Sequence, residues 1–111
     1  MPHAELDIHL CRDDGVHVVE PRGDVDLSTA RELGTVLREE VEQHPREVVV
    51  DLSETTHLDS SGVAVLLNAQ RRLTRAGSRF AVIAPAGAPR RVLELTGVAD
   101  TLRLRSSGPA T

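Results

Sequence analysis

The sequence predicts an α/β fold: a mixed sheet of four to five strands with about three helices packed on it. Three observations carry that expectation. Two Val-rich or aliphatic runs without alternation, REVVVDL at 46–52 and RFAVIA at 79–84, read as strands covered on both faces, as in a parallel sheet. Segments with apolar residues at helical spacing fall between such runs. The connections are short, so strands and helices alternate along 111 residues, a length that suits one domain.

Taken in order, ELDIHLC at 5–11 alternates apolar and polar residues as a half-buried strand does. RDDG at 12–15 is a turn with a glycine for positive φ, and VHVVE at 16–20 completes a hairpin. Pro21 and Gly23 are expected to end that strand. From Leu27 to Gln43 the apolar positions Leu33, Val36, Leu37 and Val41 repeat at helical spacing. Thr29 and Glu32 form a capping-box pattern, with Asp26 and Ser28 as alternative caps, and Pro45 closes the helix. The strand 46–52 leads through SETTHLDSSG, read as a connection, into a second helix at 63–75 that stops at Gly77. After the strand 79–84, Pro89 suits the first turn of a third helix, PRRVLELT, which ends at Gly97. Residues 102–105 read as an edge strand and 106–111 as a frayed tail, giving one domain over 1–111 with its core at about 6–104.

Composition narrows the function. A net charge of −4 and a single aromatic, Phe80, leave neither the electrostatic footprint nor the stacking platforms of a nucleic-acid binder. All 13 basic residues are Arg, which excludes chemistry that needs a lysine amine. No apolar run is long enough to span a membrane, and the first residues lack the order of a signal peptide. With Cys11 alone, no internal disulfide can form, and the expected compartment is the cytoplasm. The five histidines are scattered. They read as solvated surface residues rather than zinc ligands.

Two polar loops precede helices: GDVDLST at 23–29 and TTHLDSSG at 55–62. In open α/β sheets, loops at the carboxyl ends of strands face ligands and partners. The D-x-D of Asp24 and Asp26 invites a dehalogenase-type phosphatase reading, with Asp24 as nucleophile and Asp26 as acid. The absence of lysine and of a later acidic pair argues against it, and turn or cap roles suit these residues. D-S-S-G lacks the G-x-S-x-G elbow, and His57 lies in the same connection, so a serine hydrolase is not indicated. A third reading is modification. Ser60 and Ser61 sit at a helix start beside Asp59, and Gly62 removes bulk that would hinder a partner's approach.

The combination of GDVDLSTARELGTVL, VVVDLSETTHLDSSGVAVLLNAQRRL and RFAVIAPAGAPRRVLELTGV resembles the anti-sigma factor antagonist family of STAS domains, from about Leu6 to Leu104. The resemblance implies a single STAS-like domain and no enzymatic activity. It implies that Ser60, the hydroxyl residue directly after Asp59, accepts phosphate, with Ser61 as the neighbouring alternative. Asp24, Asp26, Asp59, Ser61 and Gly62 would then form the partner-binding rim. The implied partners are an anti-sigma factor that is itself a serine kinase, whose ATP and magnesium are its own, and a PPM-type phosphatase. The chain would hold no cofactor or metal and act as a monomer or weak dimer in stress response or sporulation. Such domains commonly close with a fourth helix, whereas this sequence runs out at RSSGPAT. A competing expectation is a scaffold-type STAS module in a stress-signalling, transporter or sensor assembly.

Overall fold

The computed structural model describes residues 6–107. Chain order is β1 (Asp7–Asp13), β2 (Val16–Val25), α1 (Ala30–Val41), β3 (Glu47–Asp51), β4 (Thr55–Leu58), α2 (Ser60–Arg75), β5 (Arg79–Ile83), α3 (Ala88–Leu95) and β6 (Leu104–Arg105). The sheet has six strands in the order β1-β2-β3-β5-β6, with β4 pairing β2 off that path. Among the described residues, only β1 runs antiparallel to its neighbour. This is the expected mixed α/β architecture with one more strand than anticipated. Glu5 and residues 108–111 of the expected tail lie outside the described residues.

The hairpin turns on Asp14 and Gly15, at φ 52° and 78°, between the paired residues Asp13 and Val16. Two consecutive left-handed residues are what a two-residue type I′ turn requires, and Asp-Gly supplies them. The core lies on the helix side of the sheet. Val19, Val50 and Val82 sit side by side on β2, β3 and β5, packed with Leu33 and Leu37 of α1, Leu66 and Leu73 of α2, and Leu93 of α3. The two aliphatic runs are central strands: Val48, Val49 and Val50 are all at most 1% exposed.

Two expectations about β2 and its surroundings are corrected. Pro21 and Gly23 do not end the strand, which continues to Val25. The β3 pairing stops at Val19, and the Pro21 carbonyl accepts a hydrogen bond from the Thr55 hydroxyl at 2.9 Å. The Pro21 nitrogen therefore faces a position with no ladder acceptor to satisfy, which is where a strand tolerates proline. Gly23, at φ 114°, sits at a register shift that lets the strand go on against β4. The segment 55–58, read as loop, is that new strand.

His17 also departs from expectation. It is 8% exposed, and its Nδ1 donates to Glu40 at 2.9 Å. Glu40, 1% exposed on α1, also accepts a forked pair from Arg12 of β1 at 2.9 and 2.7 Å. The hydrogen bonds from Arg12, foremost, hold the Glu40 carboxyl below the usual carboxylate range. Gln43 Nε2 donates to it as well, at 3.3 Å, and the buried carboxylate is tolerated because each of its oxygens accepts two hydrogen bonds.

Candidate functional site

The extension of β2 creates the site. Its last residues pair in parallel with β4, Gly23 with Thr55, Asp24 with His57 and Val25 with Leu58. The backbone N–H of Asp59 then donates to the Val25 carbonyl at 3.2 Å, carrying the ladder one step further. Parallel strands end at the same edge and lie about 4.8 Å apart. The connections to α1 and α2 therefore leave the sheet side by side, and the two polar loops form one surface.

The first loop is closed on itself. Asp26 Oδ1 accepts from the Ser28 N–H at 2.9 Å, the Ser28 hydroxyl at 2.7 Å and the Thr29 N–H at 3.2 Å. The Ser28 hydroxyl foremost, with these N–H groups, holds the Asp26 carboxyl below its ordinary range. Thr29 does not build the expected capping box: its hydroxyl donates to the Asp24 carbonyl at 2.8 Å and accepts from the Asp26 N–H at 3.0 Å. Asp26 anchors the start of α1 instead, its carbonyl accepting from Ala30 N–H at 2.8 Å. Asp24 is exposed, and its carboxylate accepts from the Thr56 hydroxyl of β4 at 2.5 Å, tying the loops together.

The second loop is built differently. Helix α2 begins at Ser60, three residues before the start expected from the aliphatic run at Val63. Asp59, in extended conformation at φ −114° and ψ −172°, is its N-cap. Its carboxylate accepts from Ser61 N–H at 2.9 Å and Gly62 N–H at 3.4 Å, and its carbonyl accepts from Val63 N–H at 3.1 Å. The Val63 bond is the first of the helix itself; with the Asp59 N–H on Val25, three of the four otherwise unpaired donors of the helix start are occupied. Ser60, the first helical residue, is exposed, and no described side chain engages its hydroxyl. Ser61 is half-buried.

Gly62 is buried, and the room it leaves is filled from inside. A Cβ there would lie 2.4 Å from Leu58 Cδ1 and 2.8 Å from Val25 Cγ1. The expectation that it opens a path for a partner gives way to a packing role: it lets α2 start directly against the paired ends of β2 and β4. The structure thus brings Asp24, Asp26, Asp59, Ser60 and Ser61 to one surface and places Gly62 beneath it. One surface residue escaped the sequence reading. Leu27, between Asp26 and Ser28, is 82% exposed. Its signal was an aliphatic residue in a polar loop, outside the stripe of Leu33, Leu37 and Val41.

Among the described residues no group of three His, Cys, Asp or Glu side chains is arranged to hold a metal, and no helix is long and apolar enough to cross a membrane. The carboxylates of the D-x-D pair are engaged by hydroxyl and backbone donors, an arrangement that suits turn and cap roles.

A family model described as "Mlab, STAS domain" matches residues 8–105. The chain belongs to the STAS domain family. It is 33% identical over 94 residues to the anti-sigma-F factor antagonist RsfB of Mycobacterium tuberculosis, covering 85% of this chain and 76% of that protein. The anti-sigma-B factor antagonist of Staphylococcus aureus is 23% identical over 99 residues, covering 89% and 92%. The crystal structure of an anti-sigma factor antagonist from Mycobacterium paratuberculosis superposes with a TM-score of 0.85 at 30% identity, over 92% of this chain and 86% of that one. The same fold, at 18% identity, is seen in the Bacillus SpoIIAA structures, unphosphorylated (TM-score 0.72, 91% of this chain and 90% of that one) and phosphorylated (0.66, 91% and 93%).

Proposed function

We propose that this STAS domain is an anti-sigma factor antagonist that works by partner switching, with Ser60 as its phosphate acceptor. Unmodified, it binds an anti-sigma factor and frees a sigma factor; phosphorylated, it lets go. The anti-sigma factor is the serine kinase and brings its own ATP and magnesium, and a PPM-type phosphatase resets the cycle. The domain supplies no catalytic group and holds no cofactor of its own. It acts in the cytoplasm as a monomer or weak dimer.

One observation carries the reading: at the shared loop surface, Ser60 is an exposed hydroxyl at a helix start with no described side chain engaging it. Its relatives' names, antagonists of anti-sigma-F and anti-sigma-B factors, point the same way. The energetics suffice. A phosphoserine adds about 1.5 to 2 negative charges, and the positive end of α2 stabilises it by about 1 kcal/mol. A partner carboxylate about 4 Å away is repelled by about 2 kcal/mol even at the dielectric of water. Since about 1.4 kcal/mol is tenfold, one phosphate releases a partner while the fold stays intact.

Asp59 sharpens the switch. Because it already holds the N–H groups of Ser61 and Gly62, the helix start has few free donors with which to clasp an added phosphate. The new charge stays outside, where a partner meets it. Asp24 and Asp26 supply the acidic rim, and the exposed Leu27 supplies apolar area whose burial favours association. The test is titration of an anti-sigma factor kinase with two forms of the chain, unmodified and carrying phosphoserine at position 60. At least about tenfold weaker binding of the phosphorylated form is expected; equal affinity overturns the reading. A large stable complex in sedimentation, unchanged by the phosphate, would support the scaffold alternative instead.

A further inference from the structure

Helices α1 and α2 follow parallel strands and lie against each other, leaving a groove of about 170 Å³ along their outer seam. Ala30, Gly34, Leu37 and Val41 of α1 recur at helical spacing on one wall, and Val65 and Ala69 of α2 line the other. Gly34 keeps the α1 wall low: a Cβ there would stand in ordinary contact, 3.7 Å from Val65 Cγ2, and a longer side chain would fill the groove. The charged lining is of one sign: Arg31 and Arg38 on α1 and Arg72 on α2. In a chain of net charge −4, these three arginines are exposed and none is in an ion pair among the described residues.

From this groove we infer a second docking surface, distinct from the Ser60 loop, for an acidic amphipathic helix of a protein partner. Size argues for a peptide: small-molecule sites run to about 300–1,000 Å³, whereas this groove takes one or two aliphatic side chains. Length agrees, since Ala30 to Val41 spans about 17 Å at 1.5 Å per residue, three turns of a helix laid alongside. Charge selects the partner. Arg31 and Arg38 stand seven residues, about 10 Å, apart, so carboxylates two turns apart on the incoming helix would meet both. Arg72 closes the opposite side. Small residues on the floor allow close approach, and the guanidinium groups can grip carboxylates in a fork. The inference does not depend on phosphorylation of Ser60.

The probe is a synthetic helical peptide of three to four turns with a Leu/Ala seam flanked by glutamates two turns apart. It is titrated into the isotope-labelled full chain and followed by NMR amide shifts, with a lysine-for-glutamate version as control. Shifts centred on Arg31, Gly34, Arg38, Val65 and Arg72 are expected, weakening as salt rises. Combined Arg38→Glu and Arg72→Glu substitutions, at exposed positions that leave the core intact, should weaken binding about tenfold or more. Gly34→Leu, which fills the groove, should abolish it, provided a melting curve shows the variant folded. Equal binding of the lysine peptide, or shifts centred on Leu27 and Ser60, overturns the inference. So does binding to phosphatidylglycerol vesicles with none to the peptide, because the arginines would then serve a lipid surface.

Discussion

In the loop before α1, Asp26 accepts from the backbone N–H two residues on, at 2.9 Å, and from the hydroxyl of that same residue, Ser28, at 2.7 Å. In the connection after β3, Asp51 does the same with Ser53, at 2.9 and 2.5 Å. In the loop before α2, Asp59 accepts the N–H of Ser61 at 2.9 Å, but its further bond goes to the Gly62 N–H rather than to a hydroxyl. All three are Asp-x-Ser turns, and in the first two the carboxylate consumes the hydroxyl. In the third, the α2 backbone takes the carboxylate and the neighbouring serine side chains stay out of it. The comparison teaches that side-chain type does not make a modification site; what the adjacent carboxylate is already doing decides it.

Breaking the geometry beneath the second loop should have the largest effect on stability. Gly62→Ala forces a methyl into space held by Leu58 and Val25 and should destabilise the fold by about 1–3 kcal/mol, lowering Tm by several degrees in a melting curve. Gly34→Ala is the contrasting glycine: its Cβ meets Val65 at an ordinary 3.7 Å, so relief of backbone entropy should stabilise α1 by about 0.5–1 kcal/mol. Next in size, Asp59→Ala removes the α2 cap and should cost about 1 kcal/mol in urea unfolding.

Asp26 gives a smaller, pH-dependent effect. Its folded-state carboxyl is held low, chiefly by the Ser28 hydroxyl, so its contribution is fully present above the unfolded value of about 3.9 and lost as pH falls through the folded one. In Asp26→Asn, the stability difference from the parent should therefore be seen at neutral pH and close under acid. Glu40, also held low, keeps its own acid dependence in that variant. Smallest of all, Ser28→Ala should change stability by no more than about 0.5 kcal/mol, because the Asp26 carboxylate keeps its backbone donors.

Much of this was legible beforehand. The aliphatic runs around Val49 and Val82 read as covered strands, and the Leu33–Leu37 spacing and the segment 63–75 read as helices facing them. The pairing of β2 with β4 was not legible, because each partner hides the other. Pro21 and Gly23 carry every signal of a strand end, and Thr55–Leu58 is a short, mostly polar segment. Only the long-range ladder makes either one a strand. The start of α2 was misplaced for a related reason: Ser60, Ser61 and Gly62 are weak helix formers, and a cap by Asp59 with close packing of Gly62 overrides that preference. The buried His17 went unread because its partner, Glu40, lies 23 residues away in sequence, and the Arg12 that shares this carboxylate lies 28 residues from it.

The availability of one hydroxyl among several is tested most directly by intact-mass spectrometry after incubation with a partner anti-sigma factor kinase, ATP and magnesium. The unsubstituted chain and Ser28→Ala should each gain a single phosphate, and Ser60→Ala none. Full phosphate incorporation into Ser60→Ala, with Ser28 or Ser61 modified in its place, would contradict the account.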